Sequence, residues 1–203
     1  CFMPKIGQEP ARRAALLKAT INEIGLAGSL DVTVGQIAKR AGMSTALAHY
    51  SFDSMDAIFL AAMRHILSEF ARLVLKEMTG AQTHAEKLDA IVDASLGKEQ
   101  FADDVVTAWL VFYVQAQHSS EAARLLKIYV RRLHSNLVHC LRGFVSRAQA
   151  QEIAQGTAAL IDGIYIRHAL QNAAPTRVEA RRMVKDYLQM SLHQHGITLN
   201  TRH

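Results

Sequence analysis

Trp109, Phe112 and Tyr113 stand at i, i+3 and i+4 in the run Ala108-Trp-Leu-Val-Phe-Tyr113, which carries the chain's one tryptophan. On a helix that spacing brings all three rings to one face. Two readings stay open. The rings form an aromatic core stripe, or they form a wall of π faces for a methylated ammonium. Such a wall attracts the cation by about 2 kcal/mol or more once water is excluded. A methylated cation donates no hydrogen bond, so a ring surface suits it.

A second stretch carries a different chemistry, Thr33-Val-Gly-Gln-Ile-Ala-Lys-Arg-Ala-Gly-Met-Ser-Thr-Ala-Leu-Ala-His-Tyr-Ser-Phe52. Ile37, Ala38 and Ala41 give a first short helix its apolar face. Ala38 is small enough for a close crossing, and Gly42 supplies the positive φ of a tight inter-helix turn. Ser44 caps a second helix whose Leu47 and Ala48 turn inward. Thr45, Ala46, His49 and Tyr50 are left around the outside, where a recognition helix meets base edges and phosphates. The pattern is a helix-turn-helix.

The remaining reactive residue types point to little. Two cysteines, Cys1 and Cys140, suit neither a disulfide framework nor a zinc site. Of ten histidines, His134 and His139 are five apart, roughly 140° around a helix. His193, His195 and His203 fall near the end. No metal and no cofactor is expected. Nucleophile elbow, phosphate loop and His-Glu-x-x-His are all missing, so the chain reads as no enzyme. A net charge of +5 agrees with a polyanionic partner. Residues 1–52 lean basic, with Lys5, Arg12, Arg13, Lys18, Lys39 and Arg40 against Glu9, Glu23 and Asp31.

These residues need helices to hold them. The chain has 203 residues, half of them hydrophobic, and only three prolines, Pro4, Pro10 and Pro175. Capping boxes open three segments: Thr33…Gln36, Thr83…Glu86 and Thr176…Glu179. The spacing predicts helices over 10–27, 34–41, 44–51, 54–79, 84–97, 102–118, 120–145, 149–171 and 176–195. Leu126, Val130, Leu133, Leu137, Cys140 and Phe144 form the longest apolar stripe, with Cys140 as a small buried residue. No strand pattern occurs. The fold is predicted to be all-α, a three-helix head (1–53) on a larger helical bundle (54–197), with a fraying tail (198–203). Met3 is the expected natural start. No apolar run approaches a membrane span, and a reducing cytoplasm is the expected location.

His49-Tyr-Ser-Phe-Asp-Ser-Met-Asp-Ala-Ile-Phe59 resembles the aromatic-rich exit of the recognition helix in TetR-family repressors. Further matches resemble the choline-responsive BetI branch of that family: Met3-Pro-Lys-Ile-Gly7, the Ala-Trp-Leu run, Arg131-Arg-Leu-His-Ser-Asn-Leu137 and Ala159-Leu-Ile-Asp-Gly163. The resemblance implies a homodimer, near-palindromic operator DNA, and release by a small molecule tied to glycine betaine synthesis. Carried over by position, Thr33 and Tyr50 hold phosphates, with Ser44 at the start of the recognition helix, while Thr45, Ala46 and His49 face bases. Ser51, Asp53 and Met55 depart from the pattern. Met55 replaces a lysine that clamps phosphate, which lowers the salt slope by about 0.9 per lost contact.

In the sensor half, Asp162 and Tyr165 lie one turn apart. Asp162 balances a cationic ligand, or serves packing or the dimer interface. Asn136 is the candidate for a ligand hydroxyl. Coupling to DNA is expected through a tilt of the helix over 54–79. Dimer contact is expected from the last two helices, through Ala154, Ala158, Ile161, Val184, Leu188 and Ser191. Two rivals stand beside this reading: a TetR-type repressor for another lipophilic or aromatic ligand, and a helical carrier or enzyme with a degenerate helix-turn-helix.

Overall fold

The computed structural model describes residues 8–171 and 174–199. The expected start at Met3, the match over 3–7 and the last four residues of the expected tail lie outside them. Among the described residues all regular structure is helical, in nine segments. They are α1 (Gln8–Ala27), α2 (Val34–Arg40), α3 (Thr45–Ser51), α4 (Met55–Thr79), α5 (His84–Ser95), α6 (Asp103–Gln115), α7 (Ser120–Leu141), α8 (Arg147–Ala169) and α9 (Arg177–His193).

Side-chain caps decide most starts. All three expected capping boxes form, at Thr33, Thr83 and Thr176. A fourth, Ser146 with Gln149, opens α8 and has the same readable signature. Ser44, Ser54 and Ser119 cap α3, α4 and α7 through single hydroxyls. Gly42 has φ +67°, the left-handed conformation that its turn requires.

Helix α7 corrects the sequence reading in two places. It ends at Leu141, so Phe144 lies beyond the helix. Its buried face runs through Ala122, Tyr129, Leu133, Leu137 and Cys140, while Val130 is 45% exposed. One residue of helix is 100° of rotation, so choosing the aliphatic Val130 over the neighbouring Tyr129 turned the face away from its true partner. That partner is Trp109.

The bundle packs α6 against α1, α7 and α8, and α4 against α1, α5 and α7. Buried residues form one continuous cluster from Leu16 in the head to Leu192 in α9. Head and bundle therefore share a core. The tightest link between them is where α1 crosses the start of α6. A Cβ placed on Gly25 would lie 2.5 Å from the Asp104 Cα, so only glycine lets these backbones approach. Beside it, the Asn22 side-chain amide donates to the Asp104 carboxylate.

The residues expected at the dimer contact are mostly spent inside the chain. Ala154, Ile161 and Val184 are fully buried and Leu188 nearly so. Ile166, Leu170, Val178, Met183 and Met190 carry the exposed large apolar side chains of α8, its C-cap and α9 instead.

Candidate functional site

In the head, α2 and α3 meet at their N-termini. A Cβ on Gly35 would lie 3.7 Å from Thr45 Oγ1 and 3.8 Å from Thr33 Oγ1, so the two hydroxyls converge on one surface. Thr45, Ala46, His49 and Tyr50 are all exposed. Tyr50 is 83% exposed, a large aromatic ring held out in water. Ser44 Oγ accepts from the Leu47 N–H, which leaves its proton to donate outward. The Thr33 hydroxyl is more committed: it accepts from the Gln36 N–H and donates to Gln36 Oε1. Its first task is capping.

The aromatic exit of α3 divides its labour. Tyr50 faces out, while Phe52 is buried under the Arg13 guanidinium, 4.2 Å from the ring centroid. Arg13 also donates to the Ser51 carbonyl, fastening the end of α3 to α1. Asp53 is exposed, but Met55 is half-buried and packs against the core. The side chain that stands where the family pattern has lysine therefore points partly inward.

In the bundle, α6, α7 and α8 bring aromatic side chains together around one carboxylate. Trp109 lies 4.6 Å from Tyr129, 5.9 Å from Tyr113 and 6.5 Å from Tyr165, centroid to centroid. The Tyr113 hydroxyl donates to Asp162 Oδ1 at 2.9 Å. Tyr165 donates to the Ser95 carbonyl. Asp162 accepts that one bond from Tyr113 and has no cationic partner among the described residues. Burial pushes its pKa above the ordinary carboxylate value, and the Tyr113 bond only partly offsets the rise. Burial likewise raises the Tyr113, Tyr129 and Tyr165 hydroxyls, so all three stay protonated. The Trp109 Nε1–H is buried with no hydrogen-bond partner among the described residues.

Five of the six ligand candidates thus gather: Trp109, Tyr113, Asp162 and Tyr165 directly, with Phe112 behind them against Trp109 and Phe59. Phe112 is fully buried. Asn136 stands apart, two turns beyond Tyr129 along α7, on a cleft of about 430 Å³ between α4 and α7. Tyr129 was missed. Its spacing to Leu133 and Leu137 placed it on the buried face, and a tyrosine there needs an aromatic or polar neighbour.

Among the described residues no group of three His, Cys, Asp or Glu side chains gathers as for a metal, and no helix is long and apolar enough to cross a membrane.

A recognition helix with exposed Thr45, His49 and Tyr50, set on a helical bundle, defines a class, and sequence comparison agrees. The family "Bacterial regulatory proteins, tetR family" matches residues 16–62. Residues 84–193 match "BetI-type transcriptional repressor, C-terminal". The chain belongs to the TetR family of transcriptional regulators. Within that family it is of the BetI type. It is 50% identical over 190 residues to the HTH-type transcriptional regulator BetI of Brucella melitensis biotype 2, covering 94% of this chain and 96% of that one. The regulator of the same name from Agrobacterium fabrum is 47% identical, over 94% and 92% of the two chains. Regulators of this kind are not enzymes, so the non-enzymatic reading stands.

Solved structures repeat the fold. A TetR transcription regulator from Haloarcula marismortui superposes with TM-score 0.78 at 20% identity, over 89% of this chain and 98% of that one. A transcriptional regulator from Saccharomonospora viridis, solved in complex with choline, gives TM-score 0.77 at 23% identity, over 87% and 94%. At these identities the likeness speaks for the fold.

Proposed function

We propose that this repressor binds near-palindromic operator DNA in the cytoplasm as a homodimer and is released when choline, or a close quaternary ammonium relative, enters the α6–α7–α8 cage. One observation carries the reading: a half-buried carboxylate, Asp162, without a cationic partner, amid the rings of Trp109, Tyr113, Tyr129 and Tyr165. A buried carboxylate lacking a cation is costly. A trimethylammonium supplies the charge while the rings supply its cation–π surroundings. The unpartnered Trp109 Nε1–H is the group left to meet the ligand hydroxyl. The choline complex of the Saccharomonospora viridis regulator and the BetI name of the sequence relatives support the same ligand class.

On the DNA side, Tyr50 and Ser44 suit phosphates, and Thr45, Ala46 and His49 suit base edges, as their exposure on the outer side of α3 allows. Thr33 holds the start of α2 in register beside Thr45. For the dimer, Ala159 and Ile166 on α8 and Met183 and Met190 on α9 are spaced by seven. Each pair therefore lies two turns apart on one face. Two copies of that face make a four-helix contact with two-fold symmetry.

Helix α6 carries the signal. It bears Trp109 and Tyr113 and starts against the head at Asn22 and Gly25. Its other side is tied to α8 by Asp103 with His168, at 2.8 Å. A ligand wedged between α6 and α8 shifts the start of α6, and with it α1. This route stands beside the tilt of α4 expected from the sequence.

Isothermal titration of the purified chain with choline tests the reading. A one-to-one site per protomer with quenched Trp109 fluorescence is expected. An absence of heat and of quenching at millimolar choline would reduce the cage to aromatic core.

A further inference from the structure

The cleft between α4 and α7 is not explained by a choline cage. Phe70, Val74 and Met78 of α4 face Ile128 and Tyr129 of α7 across about 430 Å³, within the range of small-molecule sites. Beside it, Leu75 is 69% exposed and Ile128 is 37% exposed, large apolar side chains left in water. The polar groups among its lining residues are the Tyr129 phenol, Arg132 and Asn136, and no acidic residue lines it. Arg132 and Asn136 are four apart on α7, so guanidinium and side-chain amide sit together one turn apart. Arg132 has no acidic partner among the described residues.

An apolar trough ending in an unpaired guanidinium and a neutral amide fits an amphipathic anion. We infer that this trough is a second effector site, for the carboxylate of a free medium-chain fatty acid. The lining of α4 spans residues 67–78, on the order of 16 Å at helical rise, enough for an extended ten-carbon chain. The carboxylate sits between Arg132 and Asn136, a charge-assisted pair at a planar, bidentate donor. The chain lies along the apolar walls toward Ile128.

Tyr129 links this trough to the cage. Its ring lines the trough and also lies 4.6 Å from the Trp109 ring. A ligand that moves Tyr129 from one side alters the wall seen from the other. The two sites are therefore coupled, and each ligand changes the other's affinity by one shared factor. This linkage, though not the trough itself, rests on the choline reading above.

The test uses the full chain and monomeric sodium decanoate, titrated calorimetrically without choline. Saturable binding is expected, weakened about tenfold or more in Arg132→Ala, the worth of a hydrogen bond to a charged group. Leu75→Glu, an exposed substitution that sets a carboxylate beside the trough, should weaken it too. Both variants should bind choline as the parent does. Equal binding of decanol and decanoate, or equal decanoate affinity in Arg132→Ala, would overturn the proposal. So would no decanoate binding in the parent, or a change of oligomeric state in Leu75→Glu, which would mark the trough as a contact between chains. Decanoate binding without any choline binding would leave the trough standing and remove only the cage.

Discussion

At the scale of single residues, Asp162 is the most informative side chain. Burial raises its pKa above the ordinary 3.8, and its one described hydrogen bond comes from Tyr113. The unfolded chain therefore ionises this carboxyl more readily than the folded one. Its contribution to stability is full below the ordinary carboxylate range and is lost as pH rises through the raised folded value. Asp162→Asn keeps an acceptor for Tyr113 and removes the buried charge. Thermal melts should show it at least as stable as the parent at neutral pH, with a flatter pH profile just above the carboxylate range. Choline affinity should fall by more than about tenfold, as expected when one partner of a buried charge pair is lost. Because a quaternary ammonium keeps its charge, choline binding to the parent should weaken as pH falls through the raised Asp162 pKa. Choline affinity that is flat with pH and unchanged in Asp162→Asn would remove Asp162 from the site.

The same scale shows what the sequence could tell. Trp109, Phe112 and Tyr113 were legible because helical spacing fixes a shared face. Tyr113 with Asp162 was not, since 49 residues separate them and no local pattern encodes a contact across the bundle. Asn136 was assigned to the ligand by resemblance, and its place on α7 belongs to a different cleft.

At the scale of elements, helix existence was readable nearly throughout, because Ser and Thr caps with Glu or Gln three residues on mark starts by a local mechanism. Ends were harder. The sequence ran α7 on to residue 145, though the helix stops at Leu141 ahead of Gly143. The meeting of α1 with α6 was invisible: Gly25 sits inside a helix with no turn to require it, and only the crossing explains it. That crossing makes a prediction. Asn22→Ala removes the side-chain bond to Asp104 while leaving the cage untouched. Choline affinity without DNA should stay within about twofold, while the coupling between choline and operator shrinks by roughly 0.5–2 kcal/mol. Anisotropy titrations of labelled operator, with and without choline, read both quantities. Undiminished coupling in Asn22→Ala would return the signal to α4.

At the scale of the whole molecule, the proposed near-palindromic operator offers two half-sites, and filling both requires a partner copy. Most of the residues whose spacing suggested a dimer seam, Ala154 and Ile161 with Val184 and Leu188, are packed inside the chain. Period alone cannot separate a face buried within one chain from a face buried between two. The exposed Ile166 and Met190 are the better candidates. Ile166→Asp with Met190→Asp should sediment as a monomer at micromolar concentration, retain its helical signal, and lose operator affinity by more than each head alone can supply. A dimer that persists unchanged would place the contact elsewhere.

The central claim joins cage to DNA, and a thermodynamic cycle reaches it most directly. Operator affinity is measured by anisotropy with zero and saturating choline, for the parent and for Trp109→Ala. The parent should lose operator affinity by roughly 5- to 150-fold when choline saturates, the usual span of allosteric coupling. Trp109→Ala should bind operator as the parent does without choline, and should not respond to it. A parent whose operator affinity is indifferent to saturating choline would contradict the account. A Trp109→Ala variant that responds in full would contradict it equally.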